Sequence, residues 1–196
     1  MLYLIVILSA SAIIICANTL PSPSVDVLIK NSIAVAIGVV AIIAIDALSA
    51  LIIRRLFPKR LFSPQVKLFS VTKKEHLFYN KFAIKHWKDR VPQLGIFTGF
   101  DKGKIKSISE TQYLERFLLE ANYGVAIHLA NGILGFFIAF IPACSAPFVW
   151  IPIFAVNLIL SLMPFAILRY NSYTLLRLYK RSQASHSKSI EKVKDN

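Results

Sequence analysis

The sequence predicts an all-α, polytopic membrane protein with four transmembrane helices and additional cytoplasmic interfacial helices. Two observations predict it. Apolar residues make up 56% of the 196, against about 45–50% in a soluble domain, and they are gathered into four blocks. The cations are gathered between and after those blocks, which is how a chain records the side of a bilayer on which its loops remain.

The first block is "MLYLIVILSASAIIICA", residues 1–17, which has no charge. A spanning helix needs roughly 20 apolar residues, so this block is short for a span. It is read as a span or signal anchor rather than a cleavable signal, because no basic stretch precedes it. The second block, 32–53, carries Asp46 as its one charge. The third, 121–142, and the fourth, 147–168, are both long enough to span. The four residues "ACSA" join them in a tight hairpin.

Segment 54–120 holds 15 Lys/Arg and 6 Asp/Glu, net +9, and segment 169–196 holds 7 and 2, net +5. Loop 18–31 is neutral and 143–146 is uncharged. Keeping the basic segments inside puts both termini and the long central segment in the cytoplasm, with four spans between them. Residues 1–181 then form a single integral membrane domain. Residues 182–196 form a polar tail, expected to be disordered. The net charge of +13 is accounted for by anionic phospholipid headgroups beside the spans, and no nucleic acid is expected as a partner. Cys16 and Cys144 are expected to be free thiols. No metal-ligand spacing and no phosphate-binding glycine loop occurs.

Within the central segment, "KKEHLFYNKFAIKHWKD", 73–89, places Lys74, Lys81, Lys85 and Lys88 at helical intervals. The spacing predicts one amphipathic basic helix lying on the membrane. Pro92, Gly95, Gly99 and Gly103 end it in a loop. "SISE" predicts a helix start near Ser107, with Ser107 and Glu110 as a capping box. Leu114, Phe117, Leu118 and Ala121 continue that helix into the third span at i, i+3, i+4, i+7 spacing. "RYNSYTLLRLYKRSQ", after the fourth span, reads as a further interfacial helix.

Several polar residues lie where lipid does not need them. His128 sits in the third span, and an ionisable group in a span is a functional candidate by default. The competing reading is a neutral imidazole bonded to a carbonyl or an amide. Glu120 lies eight residues earlier on nearly the same face, roughly 12 Å away along the axis. That is too far for a direct bond, and Arg116 one turn back offers Glu120 an ordinary ion pair. Asn131, three residues after His128, can orient the ring or meet a substrate. Asp46 in the second span is either protonated or paired with Asn157 or His128. Asn157 can also simply join helices, and Pro164 is read as a kink in the fourth span.

One family carries several of these features together. The cluster Trp87, Lys88, Asp89 and Pro92, then Phe100 with Lys102, then Glu120 eight residues before His128, then Arg169–Tyr170–Asn171, resembles the glycosyl-4,4'-diaponeurosporenoate acyltransferases. These are small membrane enzymes of carotenoid synthesis. The similarity covers 78–181. The chain departs from it at Tyr123, Gly124 and Val125, where family members often carry Arg-Ala-Glu.

The resemblance implies an integral protein of a bacterial cell membrane that moves an acyl chain from a thioester to a sugar hydroxyl of a glycolipid. The acceptor can be a glycosylated carotenoid. It implies His128 as general base with Glu120 beside it in the catalytic set. It implies Trp87, Lys88, Asp89, Lys102, Asn131, Arg169, Tyr170 and Asn171 as substrate-binding residues. An imidazole titrates at about 6.5 in water, which suits removal of a hydroxyl proton at neutral pH. Lys85, Lys88, Lys102, Lys104 and Arg169 are suited to the phosphates of a donor. Asn131, Asn171 or Tyr170 can donate to the oxyanion. No bound cofactor is expected; the donor is an acyl-coenzyme A or an acyl-carrier protein. The oligomeric state stays open. Two other functions remain: a lipid-binding or scaffold protein without catalysis, and a small transporter using Asp46 and His128 as a proton relay.

Overall fold

A computed structural model describes residues 2–91 and 110–194. The chain order is α1 (Leu2–Thr19), α2 (Val25–Leu56), α3 (Lys73–Lys81), α4 (Ile84–Trp87), α5 (Thr111–Leu134) and α6 (Pro147–Lys194). Short 3-10 turns lie at Lys59–Phe62, Lys67–Phe69, Lys88–Arg90, Gly135–Phe140 and Pro142–Cys144. The described residues contain no strand. The expected loop over 92–104 and Ser107 of the expected capping box lie outside the described residues.

Three helical stretches are long and apolar enough to cross a membrane: Val25–Leu56, Thr111–Phe140 and Pro147–Ser185. They match the second, third and fourth apolar blocks, and the chain is an all-α polytopic membrane protein. The first block forms the shorter apolar helix α1. Its 18 residues extend roughly 27 Å at the usual helical rise, close to the roughly 30 Å of a hydrocarbon core.

The elements differ from the sequence reading in four places. α2 is 32 residues long, because Ser24 caps it early: the Val27 N–H donates to Ser24 Oγ at 3.2 Å. The connection after α1 is thus shorter than the expected loop. α6 runs unbroken for 48 residues, so the expected separate interfacial helix after the fourth span is part of the same helix. Helix also continues through the tail that was expected to be disordered. No proline or glycine follows Pro164 in α6, so nothing in the sequence interrupts the hydrogen-bond ladder from the end of the fourth span into the tail. Finally, the single helix expected over 73–89 is broken. Ala83 adopts φ 51° and ψ 34°, and α3 and α4 lie on either side of it. Lys74 and Lys81 therefore share a helix, and Lys85 and Lys88 do not continue its face.

The described helices group into two compact units. The first contains Met1–Arg55 and Ile127–Met163. Its core is Ile14, Ala34, Val35, Ile138, Cys144, Val149 and Ile153. Asn18 Nδ2 donates to the Phe148 carbonyl at 3.0 Å, and Asn31 Nδ2 to Thr19 Oγ1 at 3.1 Å. Deeper in the unit, Ser49 Oγ donates to Asn131 Oδ1, and Asn157 Nδ2 donates to the Asn131 carbonyl at 3.0 Å. Gly135 leaves room for the Asn157 amide, which a Cβ there would strike. Cys16 and Cys144 are free thiols.

The second unit contains Leu56–Ala126 and Pro164–Asn196. Its core is Val71, Leu114, Phe117, Leu118, Leu175, Leu176 and Tyr179. Asn122 Nδ2 reaches the Phe62 carbonyl at 2.8 Å, and the Phe62 ring lies 4.2 Å from that of Tyr123. Thr72 caps α3 by accepting from the Glu75 N–H at 3.2 Å. The left-handed turn at Ala83 sends Ile84 fully into the core, and Trp87 Nε1 ties back to the Phe82 carbonyl at 3.0 Å.

A non-glycine residue held in the left-handed region costs on the order of 1 kcal/mol or more. Ala83→Gly should therefore raise stability by about 0.5–1 kcal/mol, read as a higher denaturant midpoint in detergent.

Candidate functional site

In the second unit α3 lies against the start of that unit's α6 segment, and the contact is polar. Arg169 is 9% exposed. Its Nε donates to Glu75 Oε1 at 2.7 Å and its Nη2 to Glu75 Oε2 at 2.8 Å. Nη1 donates to the Leu68 carbonyl at 3.2 Å, and Nη2 also to the Ser70 carbonyl at 3.3 Å. The guanidinium fork suits this two-point carboxylate contact, and a lysine has no equivalent geometry. Tyr79, one turn after Glu75, lies within the electrostatic influence of both members of the pair. Its phenol is pushed above 10.0 first by burial and then by the Glu75 charge, with Arg169 opposing.

Beside the clamp, His76 is stacked between two tyrosines of α6. Its ring centroid is 4.6 Å from Tyr170 and 4.4 Å from Tyr173, each within 20° of parallel. Its Nδ1 is buried, with no hydrogen-bond partner among the described residues. Lys88 Nζ donates to Asn171 Oδ1 at 3.3 Å and lies 5.8 Å from the Tyr170 ring centroid. Arg177 lies 5.8 Å from the Tyr173 ring. An aromatic slot thus holds an imidazole, with an ammonium and an amide next to it.

The sequence-derived residues distribute as follows. Lys88, Arg169, Tyr170 and Asn171 come together here. Arg169 spends its guanidinium on Glu75 and two carbonyls rather than presenting it to a ligand. Trp87 is half-buried, with its indole N–H on the Phe82 carbonyl, and Asp89 is exposed. Lys102, like Phe100 and Lys104, lies outside the described residues. Glu120 and His128 are both half-buried on α5. In the first unit Asn131 is buried, and its side-chain oxygen accepts from Ser49. Asn157 gives its amide to Asn131 rather than to Asp46, whose Oδ1 is buried without a hydrogen-bond partner among the described residues.

Glu75, His76, Tyr79 and Tyr173 escaped the sequence reading. One signal was present. Tyr170 and Tyr173 are three apart, so one helix face presents both rings. Their partner is 94 or more residues away in sequence, and spacing does not identify it.

The family model described as glycosyl-4,4'-diaponeurosporenoate acyltransferase, CrtO, matches residues 58–181. The chain belongs to this family. The match takes in α3, α4, α5 and most of α6, and leaves α1 and α2 outside it. Glu75, His76, Lys88, Arg169 and Tyr170 all lie within it, as do Glu120 and His128. No curated protein and no solved structure matches the chain.

Removing one partner of a well-buried ion pair leaves the other charge uncompensated, at about 3–5 kcal/mol. Arg169→Ala should lower stability by at least about 2 kcal/mol after allowance for the partly exposed Glu75, and Arg169→Lys should restore only a fraction, measured by thermal unfolding in detergent. Tyr79 adds an alkaline limit. Its proton is held more tightly in the folded state, so its contribution is full below pH 10.0 and is lost as pH rises through the higher folded value. Tyr79→Phe should flatten the fall in stability above that pH, read from unfolding midpoints across an alkaline series.

Proposed function

We propose that this protein transfers an acyl chain from an acyl thioester to a hydroxyl of a membrane glycolipid, a glycosylated carotenoid being the acceptor its family name suggests. The family match over residues 58–181 carries the reading. The three membrane-crossing stretches support it, because a lipid acceptor then diffuses in the same bilayer as the enzyme.

His128 is the general base in this reading. It takes the proton of the acceptor hydroxyl as that oxygen attacks the thioester carbonyl. The carbon–sulfur bond then breaks, and the proton passes from the imidazolium to the departing thiolate, giving an ester and a free thiol. Glu120, eight residues earlier in the same matched segment, is the second member of the catalytic set that the family resemblance implies. Lys88, whose ammonium lies on Asn171, binds the phosphate of a coenzyme A or carrier-protein donor in this reading, with Lys102 as a second cation. Tyr170 and Asn171 offer polar hydrogens to substrate. Arg169 acts as a positioning residue, since its donors are engaged by Glu75 and two carbonyls. Trp87 and Asp89 border this cluster, and Asn131 is held by Ser49 near His128 in sequence. The excess of cations in 54–120 and 169–196 supports a cytoplasmic placement of both termini and of the central segment in a bacterial membrane, with α1 as a fourth span.

The test compares lipids extracted from cells with intact protein, with His128→Ala and with neither. An acylated glycolipid should be present with intact protein and reduced by about 100-fold or more in the variant, as read by mass spectrometry. Identical profiles, with both proteins well expressed, would overturn the transferase and favour a lipid-binding scaffold.

A further inference from the structure

α3 is built inside out. Glu75, His76 and Tyr79, its part-buried residues, face Arg169, Tyr170 and Tyr173. On the side turned away, Leu77 is 51% exposed and Phe78 is 53% exposed, and Phe82 just beyond the helix is 58% exposed. A helix on a water-facing surface has the opposite arrangement, apolar inward and polar outward. Large apolar side chains clustered on an outer face mark a surface with a partner. Phe78 and Phe82 also pack edge to face at 5.1 Å, making one continuous apolar ridge.

Charge identifies the partner. Lys74 and Lys81 are exposed on the same side of α3 as Leu77, Lys73 is exposed at its start, and Lys85 is exposed in α4 beyond the Ala83 turn. The turn at Lys59–Phe62 and that at Lys67–Phe69 add further exposed cations. Lysines around an apolar ridge snorkel, burying their stems along apolar surface while the ammonium reaches an anionic headgroup. A helical protein partner would have to supply carboxylates at matching positions; an anionic bilayer surface supplies negative charge everywhere.

We propose that the outer face of α3, with Leu77, Phe78 and Phe82, is seated in the headgroup–acyl boundary of an anionic bilayer. Such a helix lies along the plane of the membrane with its apolar face about 5–10 Å into the boundary. The polar inner face, with His76 and the Arg169–Glu75 clamp, is then held just above the lipid, at the level where headgroups lie. This inference concerns the membrane contact alone and stands independently of the acyltransferase reading.

The full-length protein tests it, reconstituted in vesicles of phosphatidylcholine with a minority of phosphatidylglycerol. Cys16 is first replaced by serine, and Cys144 is buried. Phe78→Cys and, separately, Leu77→Cys then carry an environment-sensitive fluorophore. The expected result at both positions is blue-shifted emission, loss of most of it to lipids spin-labelled near the headgroup, and protection from aqueous iodide. Emission quenched by iodide and untouched by spin-labelled lipid overturns the proposal, because the face is then in water. Protection from both quenchers also overturns it, because protein then covers the face. Equal lipid quenching in pure phosphatidylcholine vesicles overturns the anionic part of the assignment. Using two positions prevents one disruptive substitution from deciding the result.

Discussion

Backbone hydrogen bonding without water is the constraint on which the rest depends. In hydrocarbon each unsatisfied N–H or C=O costs several kcal/mol, so a single chain crosses as a helix or a closed barrel. The three long apolar stretches of this protein are accordingly helical. Polar side chains inside the same stretches obey the constraint too. Ser49 and Asn157 spend their donors on Asn131, and Gly135 makes room for the Asn157 amide. Asp46 is the exception, with a buried oxygen that no described residue meets.

The second unit solves a different problem, that of holding a short helix whose inner face is polar. α3 has only nine residues, too few to be stable alone. Its Thr72 cap, the stacked rings around His76 and the bidentate pair with Arg169 make up for what apolar packing does not provide. Ala83 is the conformational cost of this arrangement. A strained turn there lets Ile84 enter the core, while Phe82 and Phe78 remain outside.

Two histidines thus stand in contrasting settings within the stretch that defines the family. His128 is carried by a spanning helix, in the segment whose spacing to Glu120 supports the family resemblance. His76 is held rigidly by aromatic stacking against α6, next to an ammonium and a carboxylate–guanidinium pair. Stacking on two tyrosines restricts the motion of the His76 ring. The family relationship bears on the first through sequence spacing, and the geometry draws attention to the second.

The spans were legible because their signal is local: an uninterrupted apolar run of sufficient length determines a membrane helix wherever it occurs. The continuity of the third span with the helix before it was equally local, carried by Leu114, Phe117, Leu118 and Ala121. Lys88, Arg169, Tyr170 and Asn171 were singled out as a group by the family resemblance. What they touch was decided only in three dimensions. Arg169 looked like a ligand for phosphate, and folding gives it to Glu75, 94 residues away. Residues 73–89 looked like one basic helix, and the burial of Ile84 breaks it at Ala83. Sequence by itself determined which segments enter the membrane, because hydrophobicity adds along a contiguous run. Tertiary structure alone decided which charges are neutralised and which face of α3 remains apolar, because those outcomes depend on partners that no spacing rule places.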